Sequence, residues 1–117
     1  MKFISDTHFS HKKLIFVYEA EKRPFKIVEE HDETLIHNWN SVVEKDEDVF
    51  HLGDFCQWYK GISPKTFTSR LNGRIHLIRG NHDVNITEEN YLEMGFSSLQ
   101  DYFTILYKDK RILLTHY

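Results

Sequence analysis

Five short apolar runs and one longer helical stripe organise the 117-residue chain. Phe3-Ile4-Ser5, Val49-Phe50-His51-Leu52 and the run from Arg74 to Arg79 are bounded by polar or turn-forming residues, which predicts strands. Tyr102 to Tyr107 and Arg111 to Thr115 predict two more around a tight Lys108-Asp109 turn. The clearest helix spans 28–43. Val28, Leu35, Ile36, Trp39, Val42 and Val43 fall near one face, while Glu29, Glu30, Asp32 and Glu33 crowd its electropositive first half. Ser63-Pro64 offers an N-cap and a first-turn proline to a second helix, which runs to about Leu71 and stops at Asn72-Gly73. Thr87 caps a predicted third helix from Glu88 to Met94, closed by Gly95. His11 to Glu21 suits a helical turn or two, of ambiguous type, before Arg23-Pro24-Phe25 breaks it. Lys45-Asp46-Glu47-Asp48 reads as a solvated loop.

Strands alternating with helices predict an α/β fold with mixed sheets, in a single domain over 1–117. Apolar residues at 40% and aromatics at 15% support a packed interior. A formal charge of -3 leaves no broad basic surface, so nucleic acid is a possible but disfavoured partner. The single cysteine, Cys56, excludes an internal disulfide and suits a reducing compartment; it reads as a small, partly buried hydrophobe. Neither a signal-peptide core nor an apolar run of ~20 residues is visible, and the expectation is a cytoplasmic protein with no membrane partner.

The informative pattern lies where the runs end. Asp6 and His8 follow the first strand, Asp54 the second, Gly80-Asn81-His82-Asp83 the third and His116 the last. Ligands collect beyond the carboxyl ends of strands in open α/β sheets, so these ends can share one rim. Random ordering of this composition gives the tetrapeptide about once in a thousand shuffles. Carboxylates, imidazoles and an amide oxygen suit Mn, Fe, Zn or Mg better than a thiolate-loving metal. Asp6-x-His8 would present both side chains on one side of an extended segment and grip one ion. Asp54 has two oxygens and can bridge to a second ion, held by Asn81 and His116. His82 is the candidate general acid, with Asp83 orienting its imidazole.

In order, Asp6-x-His8, Gly53-Asp54, Gly80-Asn81-His82-Asp83 and Thr115-His116 resemble the successive motifs of the calcineurin-like metallophosphoesterases. The fuller stretches Ile4-Ser5-Asp6-Thr7-His8-Phe9 and His51-Leu52-Gly53-Asp54-Phe55 resemble the small bacterial and phage members. Asn38-Trp39-Asn40 and Leu71-Asn72-Gly73 add to the match. The resemblance implies a sandwich of two β-sheets flanked by helices. It also implies two divalent ions, manganese favoured, and hydrolysis of phosphodiesters or monoesters by a metal-bridging hydroxide. Family members continue to a Gly-His-x-His motif, and no Gly-His pair occurs in this sequence. The expectation is therefore an incomplete C-terminal set of strands and ligands, which a second copy or a partner chain would complete. The alternative is a catalytically impaired remnant serving as a binding or structural domain.

The other histidines carry quieter expectations. His31 and His37 read as polar-face or partly buried helix residues, and His76 as a packed or surface strand residue. His51 falls on the opposite strand face from Asp54, outside the ligand set. His11 can approach the site after the turn at Phe9-Ser10, and a loop role is preferred. Arg79 would meet a phosphate or a surface carboxylate; Trp58 and Tyr59 would rim a cleft or cover a core edge.

Overall fold

Three of the apolar runs build three of the four strands of a parallel sheet because each is followed by a segment long enough to cross back over one face. A computed structural model describes residues 1–59 and 61–117. Strands β1 (Lys2–Ile4), β2 (Asp48–His51), β3 (Arg74–Ile78) and β4 (Ser98–Gln100) lie side by side in chain order, all parallel. Phe3, Phe50, His76 and Ser98 form one row across the sheet. The remaining strands, β5 (Tyr102–Tyr107) and β6 (Lys110–Thr115), form an antiparallel hairpin with Lys108 and Asp109 left-handed at its turn. Both parallel and antiparallel sheets are present, as the α/β reading requires.

Helix α1 (Val28–Val42) matches its predicted span to one residue. Its buried face differs from the expected stripe. Val42 is exposed, whereas His31 and Asp32 are buried with Ile36 and Trp39. Polar groups are tolerated in that position only when hydrogen-bonded, and these two are. Helix α2 (Pro64–Thr68) starts where Ser63-Pro64 predicts, its Ser63 N–H donating to Thr66 Oγ1 at 3.2 Å, but it is shorter than expected. The segment from His11 closes as a π-helical turn, Leu14–Tyr18, with Glu19 N–H donating to the Leu14 carbonyl at 2.7 Å.

Three expectations need correction. The 88–94 segment is a succession of turns: Tyr91 and Met94 make i→i−4 bonds, to Thr87 and Asn90, with no continuous ladder between. Its end is nevertheless the predicted one, because Gly95 and Phe96 bond back to Leu92 and Tyr91 in a Schellman arrangement with Gly95 at φ +94. Strand β4 was not expected. The Lys45–Asp48 stretch is more than a solvated loop, since Asp48 opens β2 and bonds Arg74 and His76 while Glu47 pairs with Lys2 and the amino terminus.

Burial on both faces explains the apolar character of β2 and β3. Toward the helices, Trp39, Val49, Phe55, Phe67, Leu77 and Phe96 share the main core. Toward the hairpin, Phe50, Ile78 and Leu114 pack with Phe103 and Ile105, and the rings of Phe50 and Phe103 stack at 5.5 Å. This second contact brings the end of β6, and with it His116, to the rim where β1, β2 and β3 end. No helix among the described residues is long and apolar enough to cross a membrane.

Candidate metal centre

Beyond the rim the sheet ladder continues between two loops. Asp6 N–H donates to Gly53 O at 2.9 Å, His8 N–H to Asp54 O at 3.1 Å and Phe9 N–H to Phe55 O at 2.9 Å. Asp6, His8 and Asp54 nonetheless adopt left-handed φ values of 56, 48 and 58°. The Asp6-x-His8 segment is therefore not extended, and strand alternation is not what makes its side chains converge. Left-handed residues at alternate positions, Asp6 and His8, turn them instead, a costly conformation that clusters at functional sites.

The convergence is close. His8 Nε2 lies 3.4 Å from Asp6 Oδ1 and 3.6 Å from Asp54 Oδ2. His116 Nε2 lies 3.5 Å from the same Asp54 oxygen and 3.1 Å from Asn81 Oδ1. Donor atoms held at ~2.1 Å by one ion stand about 3.0–3.4 Å apart in octahedral or tetrahedral geometry. The tautomer of His116 fits the same use: its Nδ1–H donates to the Leu52 carbonyl at 2.7 Å. In the neutral ring Nε2 is then a lone pair facing two oxygen acceptors, a grouping that suits a cation. Two clusters result, Asp6–Asp54–His116 and His8–Asp54–His82, sharing Asp54. Donor chemistry and spacing both fit divalent metal.

Asp54 is buried. Burial pushes its carboxyl up, but bonds from the His82 amide at 2.8 Å and the His82 ring at 3.0 Å outweigh that and hold it below the usual range. Burial also lowers His8, against Asp54, and lowers His11 to about 4 with help from His8 and His82. Both rings are neutral at pH 7, the form a metal ligand needs.

Close backbone approach makes the shared carboxylate possible. Gly53 has φ +105, and a Cβ there would stand 2.5 Å from His116 Nδ1 and 2.8 Å from Gly80 Cα. A Cβ on Gly80 would collide with Asp54 Oδ1 and with its backbone nitrogen at 2.6 Å. Both positions need glycine.

Asp83 does not orient His82. It is buried, and its carboxylate accepts the amides of Asp54, Phe55 and Gly80 at 2.7, 2.9 and 2.7 Å. It ties the loop after β2 to the loop after β3, and Asp54 takes the role of orienting His82. Burial raises Asp83 despite the three amides. Arg79 is paired with Asp101 at 3.0 Å, Trp58 packs against the core, and Tyr59 is partly exposed. His51 lies on the core side, taking Gly53 N–H on Nδ1 at 3.1 Å and giving Nε2–H to Thr7 Oγ1 at 2.9 Å.

Two neighbours were undervalued or missed in the sequence. His11 abuts the clusters: its Nδ1 is 3.1 Å from His8 Nδ1 and its ring centroid 5.3 Å from that of His82. Its spacing one turn after His8 was the available signal. Arg23 was read only as part of a helix break; its guanidinium bonds the carbonyls of Asp6 and Thr7, at 2.6 and 3.0 Å.

A profile of the family described as calcineurin-like phosphoesterase matches residues 2–117. The chain belongs to the calcineurin-like phosphoesterases. It is 46% identical over 81 residues to the uncharacterized protein MJ1445 of Methanocaldococcus jannaschii, and 43% identical over 83 residues to the gene 66 protein of Mycobacterium phage L5. Those matches cover 68% and 69% of this chain, but only 44% and 38% of the relatives. The crystal structure of AQ665 from Aquifex aeolicus, a protein of unknown function, superposes with a TM-score of 0.80 at 35% identity, covering all of this chain and 60% of that one. The calcineurin-like fold thus carries, here, a rim of His and Asp groups whose donor chemistry suits a metal.

Proposed function

We propose that this chain is a metal-dependent phosphoesterase, with phosphodiesters favoured over monoesters and two divalent ions, manganese preferred, as cofactors. The observation that carries this is Asp54, one buried carboxylate shared by two clusters of donor atoms spaced as ligands are. In this reading Asp6 and His8, 3.4 Å apart, would hold one ion, Asn81 and His116, 3.1 Å apart, the other, and Asp54 both; the two clusters share Asp54 but pair the remaining ligands differently. When bound, the ions neutralise phosphate oxygens and lower the pKa of water toward ~7. His82 is the proton donor to the leaving oxygen. Asp54 grips its ring at Nδ1 and its backbone amide, leaving Nε2 on a ring that is 40% exposed. Asp83 supports by fixing the two loops that carry Asp54 and His82.

The test is hydrolysis of bis-p-nitrophenyl phosphate in excess Mn²⁺, with metal content measured on the same samples. We expect turnover that needs metal, is abolished in Asp54→Ala and falls about 10²–10⁴-fold in His82→Ala with Mn²⁺ still bound. Folded protein that takes up Mn²⁺ but turns over no faster than Asp54→Ala would overturn the reading.

A further inference from the structure

We propose that Arg23, relayed through His31 to Asp32, is a positioning clamp that sets Asp6 and His8 for metal binding. The proposal rests on the reading of Asp6 and His8 as ligands. Arg23 Nη2 donates to the Asp6 carbonyl at 2.6 Å, and Nη1 to the Thr7 carbonyl at 3.0 Å and to His31 Nε2 at 2.9 Å. His31 must then carry its proton on Nδ1, which donates to Asp32 Oδ1 at 2.9 Å. Asp32 in turn accepts the Ser10 amide on both oxygens, each at 3.0 Å. Every donor meets an acceptor, and the chain of bonds leaves and re-enters the same five-residue loop.

That loop needs holding. Asp6, His8 and Ser10 are all left-handed, and none is glycine. Such backbone persists only where its surroundings over-determine it. His31 and Asp32 are 1% and 7% exposed, on a helix face that apolar residues would otherwise fill. A buried polar group of this kind contributes little to stability over a hydrophobic replacement, and its better-attested use is to fix one geometry. Glu19 meets Arg23 Nε at 2.8 Å and keeps the guanidinium aimed at the loop.

The experiment uses the full chain as Arg23→Met and Arg23→Lys, beside Val43→Ala, a core truncation at the far end of α1. Hydrogen exchange at the Ser10 amide is read without metal, and the Mn²⁺ dissociation constant by calorimetry. We expect Ser10 in Arg23→Met to exchange faster relative to α1 amides, and Mn²⁺ affinity to fall about 10–100-fold, as for lost ligand-orienting partners. Arg23→Lys, whose single ammonium lacks the planar fork, should fall in between. Val43→Ala should lower the melting temperature and leave both readouts alone. Unchanged Ser10 exchange, unchanged Mn²⁺ affinity, or equal losses in Val43→Ala would overturn the clamp. If Arg23→Met does not fold, Arg23→Lys and Asp32→Asn decide by the same readouts. Wild-type protein that binds no Mn²⁺ would overturn the proposed centre and with it the clamp's role in metal binding, whatever Ser10 exchange shows about the loop.

Discussion

Asp83→Asn separates support from catalysis. Asparagine keeps the shape of the buried side chain and one acceptor oxygen, enough for the Asp54 and Gly80 amides that now share Oδ2. The Phe55 amide, which donates to Oδ1, would face an NH₂ group instead. A buried donor left without an acceptor costs about 1–3 kcal/mol. The two retained bonds lose their charge assistance, about 1 kcal/mol each. Relief from burying a carboxylate offsets part of this, since burial already pushes Asp83 upward. The net expectation is a loss of about 2–4 kcal/mol against a total of about 5–15 for an ordinary domain, so the variant folds. Urea denaturation should show the midpoint falling with little change in slope. Turnover per folded, metal-loaded molecule should stay close to wild type. A variant of unchanged stability that loses turnover would refute the reasoning and return Asp83 to partnership with His82.

Two further outcomes are expected. Gly80→Ala drives a methyl group into Asp54 and within 3.0 Å of His116, so it should cost about 1–3 kcal/mol and weaken Mn²⁺ binding in a calorimetric titration; an unperturbed titration would contradict the close approach. Hydrogen bonds from Lys2, then the amino terminus, lower Glu47 to about 2 in the folded chain. A depressed carboxylate stabilises above its ordinary pKa of ~4.3, and that contribution fades as pH falls toward the folded value. Melting curves of wild type and Glu47→Gln should therefore differ at pH 6 and converge between about pH 4 and 2, with a smaller gap in high salt; parallel curves throughout would count against it.

Local pattern carried much of the fold. The stripe from Val28, the Ser63-Pro64 start and the hairpin about Lys108-Asp109 each depend on residues near in sequence. Strand β4 escaped because Ser98-Leu99-Gln100 is short and only half-buried, and its identity comes from pairing with His76 to Ile78. The convergence of Asp6, Asp54, Asn81 and His116 was legible from strand ends, whereas the backbone that achieves it was not. Partners were the least legible. Asp83 lies beside His82 in the chain yet serves amides 28 and 29 residues away, and the reach of Arg23 back to Asp6 has no periodic signature.

The left-handed backbone at Asp6, His8 and Asp54 sets a ceiling on improvement. At each position the main chain would be most relaxed with glycine, whereas the proposed chemistry requires a carboxylate or an imidazole. Consensus design or selection for heat resistance cannot satisfy both demands there. Gains in thermal tolerance must be made elsewhere, on the exposed surface of α1 or the outer face of the hairpin. A variant stabilised by relaxing the rim itself should emerge as a sturdier protein that no longer takes up metal there.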